Sequence, residues 1–146
     1  MQSEQALRKL GEVDRELIEQ RLHKLLELRA KGDWRGMIEF AAEDIVFEFR
    51  GDWTAFPHSK PIHGKKALGE ALMSVVIQFE NLGSVVNDMV IDGDRVALRR
   101  TAKIRNRGTG RCAEVNFADF LRFRDGLIVE FAEIADSAEL ARLSDG

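Results

Sequence analysis

VALRRTAKIRNRGTGRCAEVNFADFLRFRDGLIVEFAEIA, residues Val96–Ala135, reads as three consecutive strands, each with one ionisable side chain on an otherwise apolar face. Alternate residues of a strand share a face. Val96, Leu98, Arg100, Ala102 and Ile104 therefore form one face of the first strand, with Arg100 its only charge. Val115, Phe117, Asp119, Leu121 and Phe123 form the matching face of the second, and Leu127, Val129, Phe131, Glu133 and Ala135 that of the third. A charge turned toward a core costs several kcal/mol unless it is paired. One such residue can be partly exposed. Three on neighbouring strands point to a site, with Arg100, Asp119 and Glu133 as its catalytic candidates.

Turn chemistry tests whether these faces meet. Gly108-Thr109 between Arg107 and Gly110 fits a two-residue loop with Gly first, a type II′ hairpin, which sets Arg100 opposite Phe117 and one diagonal step from Asp119. At Arg124-Asp125-Gly126, a two-residue Asp-Gly loop would send Asp119 and Glu133 to opposite faces. A three-residue loop closed by a left-handed Gly126 keeps them together, and is the expectation here because it joins Leu127, Val129 and Phe131 to the apolar face.

The chain of 146 residues suits one domain spanning 1–146, able to bury roughly 70% of its unfolded surface. A net charge of −3 provides no global basic field for nucleic acid or an anionic membrane. No apolar run approaches the ~20 residues of a membrane span, and the N-terminus lacks the plan of a secretory signal. Cys112 is the single cysteine, so neither an intrachain disulfide nor a cysteine metal cluster is expected. A cytoplasmic setting follows as the expectation. The absence of Tyr removes a common phenolic acid from any mechanism.

Upstream, Leu7, Leu10, Val13, Leu17, Ile18, Leu22, Leu25, Leu26 and Leu28 recur at helical spacing and predict a long amphipathic helix over Ser3–Ala30. Gly32-Asp33 ends it and caps a second helix whose buried stripe is Met37, Ile38, Phe40 and Ala41, with Trp34 in the core. A short strand over Ile45–Phe49 follows. Arg50–Pro61 is long for a connection, and its Trp53 and Phe56 admit two readings: a satellite cluster pinning the loop, or a hydrophobic lid over a pocket. His63-Gly64 opens a third helix, Asn81–Asp92 is a strand turned at Asp92-Gly93, and a short helix closes the chain. Helices first and antiparallel strands last is the order of an α+β fold.

In this order of elements the chain resembles the nuclear-transport-factor-2-like superfamily, which includes ketosteroid isomerases, limonene-epoxide hydrolases and SnoaL-like polyketide cyclases. The resemblance covers Leu25 to Asp136. It is carried by Gly32-Asp33-Trp34, Ala42-Glu43-Asp44-Ile45-Val46-Phe47, His63-Gly64-Lys65-Lys66-Ala67-Leu68 and Phe123-Arg124-Asp125-Gly126-Leu127-Ile128. It implies a cone-shaped α+β barrel, a curved, mostly antiparallel sheet wrapped around helices with an internal pocket, and a homodimer through the sheet's outer face. It also implies a small apolar ligand of polyketide, terpenoid or steroid-like character, with Phe49, Trp53, Phe56, His63, Phe117 and Phe131 as ligand-binding candidates.

Asp119 falls where ketosteroid isomerases keep the carboxylic acid of their oxyanion hole, but their general base falls on Phe49 and their tyrosine on Leu25, so that chemistry does not carry over. Limonene-epoxide hydrolases place an arginine between two carboxylates. Arg100 and Glu133 match two of these three positions, Ala102 replaces the third, and Asp119 can restore the set from the neighbouring strand.

Functionally, Arg100 would orient one carboxylate and lower its pKa while the other stays more basic, dividing base from acid. A buried ion network fixing strand register is the competing reading. His63, just before a turn glycine, suits a structural hydrogen bond, and no His or Cys spacing resembles a metal site. Arg99, Lys103, Arg105, Arg107 and Arg111 make a basic outer face with no interleaved aromatics, so nucleic-acid binding is not expected. The expectation is cofactor-independent acid–base chemistry (hydration, isomerisation or cyclisation), with a non-catalytic ligand-binding or interaction module as the alternative.

Overall fold

The computed structural model describes residues 2–51 and 60–144, with side chains from residue 14 onward. The lid reading of Trp53 and Phe56 lies outside the described residues. Among the described residues ten elements follow one another: α1 (Gln2–Ala30), α2 (Trp34–Ile38), β1 (Ala41–Arg50), β2 (Ile62–His63), α3 (Lys65–Gln78), β3 (Phe79–Asp92), β4 (Arg95–Asn106), β5 (Cys112–Arg124), β6 (Leu127–Ala135) and α4 (Ser137–Ser144). The strands form one curved, unclosed sheet in the order β2-β1-β6-β5-β4-β3, antiparallel except where β1 runs parallel to β6.

The sheet's concave face and the helices share one core. Ile18, Leu22 and Leu25 of α1 belong to the same buried cluster as Leu98, Ile104, Phe117 and Leu121 of the sheet. Gly32 takes φ 69°, the left-handed conformation that ends a helix, and the Asp33 carboxylate accepts from the Gly36 N–H at 2.9 Å to start α2. Trp34, expected in the core, is only half-buried, and the Arg35 guanidinium lies 5.2 Å from its ring centroid. Two boundaries also move. Ala41 begins β1 instead of ending the second helix, and Phe79 begins β3, whose first residues extend the ladder to Asn106.

The three decisive strands have the register expected of the first hairpin. Arg100 stands opposite Phe117, Lys103 opposite Glu114 and Thr101 opposite Asn116. The turn is not the type II′ loop expected. Gly110, at φ 77°, takes the left-handed position, while the Asn106 side chain accepts from the N–H groups of Gly108 and Thr109. Asn106 thus folds the loop around its own amide, which removes the need for a left-handed residue at Gly108.

The second hairpin departs from expectation more instructively. Arg124 pairs with Leu127 across a two-residue Asp125-Gly126 turn, with φ 53° and 78°, the left-handed pair of a type I′ turn. That turn alone would have turned Glu133 away from Asp119. Between Phe123↔Ile128 and Arg122↔Glu130, however, Val129 has no partner. The extra residue is a β-bulge that shifts the downstream register by one. Ile128 and Val129 are both buried, and Asp119 faces Glu133.

Candidate active site

Across the sheet, β6 places Glu133 between Phe49 of β1 and Asp119 of β5, and β5 places Phe117 beside Arg100 of β4. Each of the three sequence-derived candidates is buried: Arg100 is 0% exposed, Asp119 1% and Glu133 1%. Arg100 Nε donates to Asp119 Oδ2 at 2.7 Å, and its Nη2 lies 3.4 Å from Glu133 Oε1, an ion-pair contact without hydrogen-bond alignment. Among the described residues, Asp119 Oδ1 and both terminal nitrogens of Arg100 accept or donate no hydrogen bond.

A fourth member is Arg29, in the last turn of α1. Its Nη1 and Nη2 donate to Glu133 Oε2 and Oε1 at 3.1 and 2.8 Å, a two-point clamp on the carboxylate. Both guanidinium groups also lie against the Phe117 ring, Arg100 at 4.2 Å from its centroid and Arg29 at 5.9 Å. The result is a line of alternating charge, Arg29–Glu133–Arg100–Asp119. Sequence reading of the strands missed Arg29, yet a signal existed: Ile18, Leu22, Leu25 and Arg29 follow one another at helical spacing, so Arg29 continues the stripe that faces the sheet.

The line separates the two carboxylates electrostatically. Burial raises the Glu133 carboxyl, but Arg29 and Arg100 outweigh it and hold the group below its ordinary range. Burial likewise raises Asp119, and here Arg100 only partly offsets it while Glu133 adds repulsion, so Asp119 is pushed up to about 6. Glu133 is therefore ionised at neutral pH, and Asp119 is the group nearer to holding a proton.

A cavity of about 350 Å³ opens beside this line, walled by Met37, Phe47, Phe49, Leu72, Val75 and Phe117. Glu133 and Arg29 line it; Arg100 and Asp119 do not. Asp119 and Arg29 instead border a void of about 10 Å³ under α1. The expectation that all three ionisable strand residues face one pocket thus needs correction: Arg100 lies behind Glu133, sealed by the Phe117 ring. Of the aromatic candidates, Phe49 and Phe117 line the cavity, whereas Phe131 packs on Phe47 at 5.2 Å and borders a separate narrow space of about 40 Å³ with Glu133. His63 does not line it. Ile62 takes the inward position on β2, so strand alternation leaves His63 exposed. Among the described residues no cluster of His, Cys, Asp and Glu could hold a metal ion, and no helix is long and apolar enough to cross a membrane.

The fold and its half-open cone define a class in which a curved sheet closes over one helix to make a pocket. Residues 22–131 match the SnoaL-like domain family, and the chain belongs to it. No curated protein matches the chain. Solved structures resemble it over nearly their whole length. IdmH of Streptomyces antibioticus, a proposed polyketide cyclase, is 26% identical with a TM-score of 0.70, covering 86% of this chain and 96% of its own. A proposed isomerase from Bacillus subtilis is 19% identical with a TM-score of 0.79, covering 88% and 92%. An LEH-like epoxide hydrolase from M. tuberculosis is 14% identical with a TM-score of 0.69, covering 86% and 87%.

Proposed function

We propose that this chain is a small-molecule enzyme performing cofactor-independent acid–base chemistry on a mostly apolar substrate. The observation that supports this reading is a buried, ionised carboxylate clamped by a guanidinium at the wall of an apolar cavity. Glu133 serves as the base. It takes a proton from a water that adds to an epoxide or enone carbon, or from a carbon beside a carbonyl, and returns that proton to the product. Arg29 spends two of its five donors on Glu133 and keeps the rest for the oxygen that gains charge. Arg100 and Asp119 act through Glu133 and are positioning residues. Polyketide, terpenoid and steroid-like molecules fit the apolar walls.

A panel of epoxide, enone and ester substrates tests this. Wild type should convert at least one, and Glu133→Gln should slow the chemical step by about 10²-fold or more. Turnover that survives Glu133→Gln would remove Glu133 from the chemistry. One observation favours a non-catalytic binding module instead: both Glu133 oxygens accept from Arg29, which lowers its basicity. That reading predicts ligand binding in the cavity with no member of the panel converted.

A further inference from the structure

The charges lining the cavity cancel in pairs, except for one. At the inner end Arg29 neutralises Glu133 at 2.8 Å. At the outer end Arg107 pairs with Glu80 at 3.1 Å, and its Nε donates to the Val76 carbonyl at 2.9 Å. Lys31 also lines the cavity. It is exposed, and its ammonium has no hydrogen-bond or ion-pair partner among the described residues. In a chain of net charge −3, the described lining of this cavity therefore carries one unbalanced positive charge, that of Lys31, with a spare Nη2 donor on Arg107 also in the lining.

Resting on the proposed function, we propose that the molecule taken by this cavity is an apolar monocarboxylate, held with its carboxylate at Lys31 and its apolar body against Phe47, Phe49, Val75 and Phe117. The reverse orientation would bring a second carboxylate beside the ionised Glu133, with the one Arg29 guanidinium shared between two negative groups. A like charge there, in a water-poor setting, is strongly disfavoured. The orientation has a chemical consequence. The reacting group lies at the end of the molecule remote from its carboxylate, beside Glu133 and Arg29.

Isothermal titration calorimetry with decanoate, decanol and decylammonium, which share a chain and differ in head group, tests the proposal on the full-length protein. Decanoate should bind about tenfold more tightly than decanol, as expected for one charge-assisted hydrogen bond, and decylammonium most weakly. Lys31→Met should abolish the preference for decanoate while leaving decanol affinity unchanged. Lys66→Met, on the exposed side of α3 outside the cavity, should alter neither. Equal affinities for decanoate and decanol, or a preference that survives Lys31→Met, would overturn the proposal while leaving the cavity as a ligand site. Failure of all three probes to bind would overturn the cavity reading itself, and this proposal with it.

Discussion

Glu133 stands directly opposite Asp119 on the concave face of the sheet, and it does so because Val129, four residues earlier in the same strand, has no partner. The tight Asp125-Gly126 turn and the bulge are opposite corrections of one residue each. Together they give the strand a strongly twisted start and an inward-facing Glu133.

Deleting Val129 should remove the bulge and leave Glu133 opposite Asp119, since Phe123↔Ile128 is then followed directly by Arg122↔Glu130. Deleting the paired Ala132 instead changes the face of every later residue, so Glu133 points outward and Ile134 inward. For the Ala132 deletion we expect a large loss of stability in urea titrations, and loss of ligand binding in any folded remainder. Replacing Val129 by Ala should be milder, about 1–3 kcal/mol for a truncated buried side chain with register intact.

Removing the clamp should leave a buried carboxylate with one poorly aligned partner. Arg29→Met is expected to cost on the order of 3 kcal/mol at neutral pH, as when one member of a buried pair is lost. It should also raise the Glu133 carboxyl. Because that group then takes up a proton more readily when folded, the gap from wild type should narrow on acidification. Urea midpoints for both proteins at pH 8 and pH 5 check this.

The two carboxylates should pull stability in opposite directions with pH. Asp119 is raised in the folded state to about 6, so the folded chain binds its proton first, and its contribution grows as pH falls from 6 toward its unfolded value. Glu133 is lowered, so the stability it contributes is present above its unfolded value and is lost as pH falls through its folded one. Asp119→Asn should flatten the stability profile between about pH 4 and 6, where the shifted group titrates. In kinetics the same variant should change the pH dependence of turnover far more than its maximum, since Asp119 does not line the cavity.

Phe120 and Ile134 are 49% and 43% exposed on the outer sheet face, beside Thr101, Asn116 and Ala118. An apolar strip of that kind is disfavoured in water. We expect a homodimer through this face at micromolar concentration, measurable by light scattering, and expect Phe120→Glu with Ile134→Lys to give monomers. A wild-type mass that stays monomeric on concentration would reject it.

Much of this was legible from residue order. Period-two alternation in Val96–Ala135 identified the inner faces of β4 and β5, and the helical stripe of α1 was equally plain. The bulge was not, because Ile128 and Val129 are both apolar and a one-residue slip between them leaves no mark in a pattern of hydrophobicity. Arg29 was hidden for a different reason: an arginine near a helix C-terminus is ordinarily explained by the helix dipole and by solvent. Its partner lies 104 residues away, beyond any local spacing argument. Which ionisable side chains reach a cavity, and which stop behind an aromatic ring, is decided by packing across strands. Phe117 makes that decision for Arg100.

The separation of Arg29 from Glu133 also bears on how the chain is made. At ~5–20 residues per second of synthesis, Arg29 precedes its carboxylate by roughly 5–20 seconds. During that interval α1 cannot dock fully on the growing sheet, since doing so would bury a guanidinium with nothing to neutralise it. The clamp is thus expected to delay full docking of the helix until the last strand arrives. A fragment ending at Gly126 should show fast amide hydrogen exchange along α1, and adding β6 should slow it.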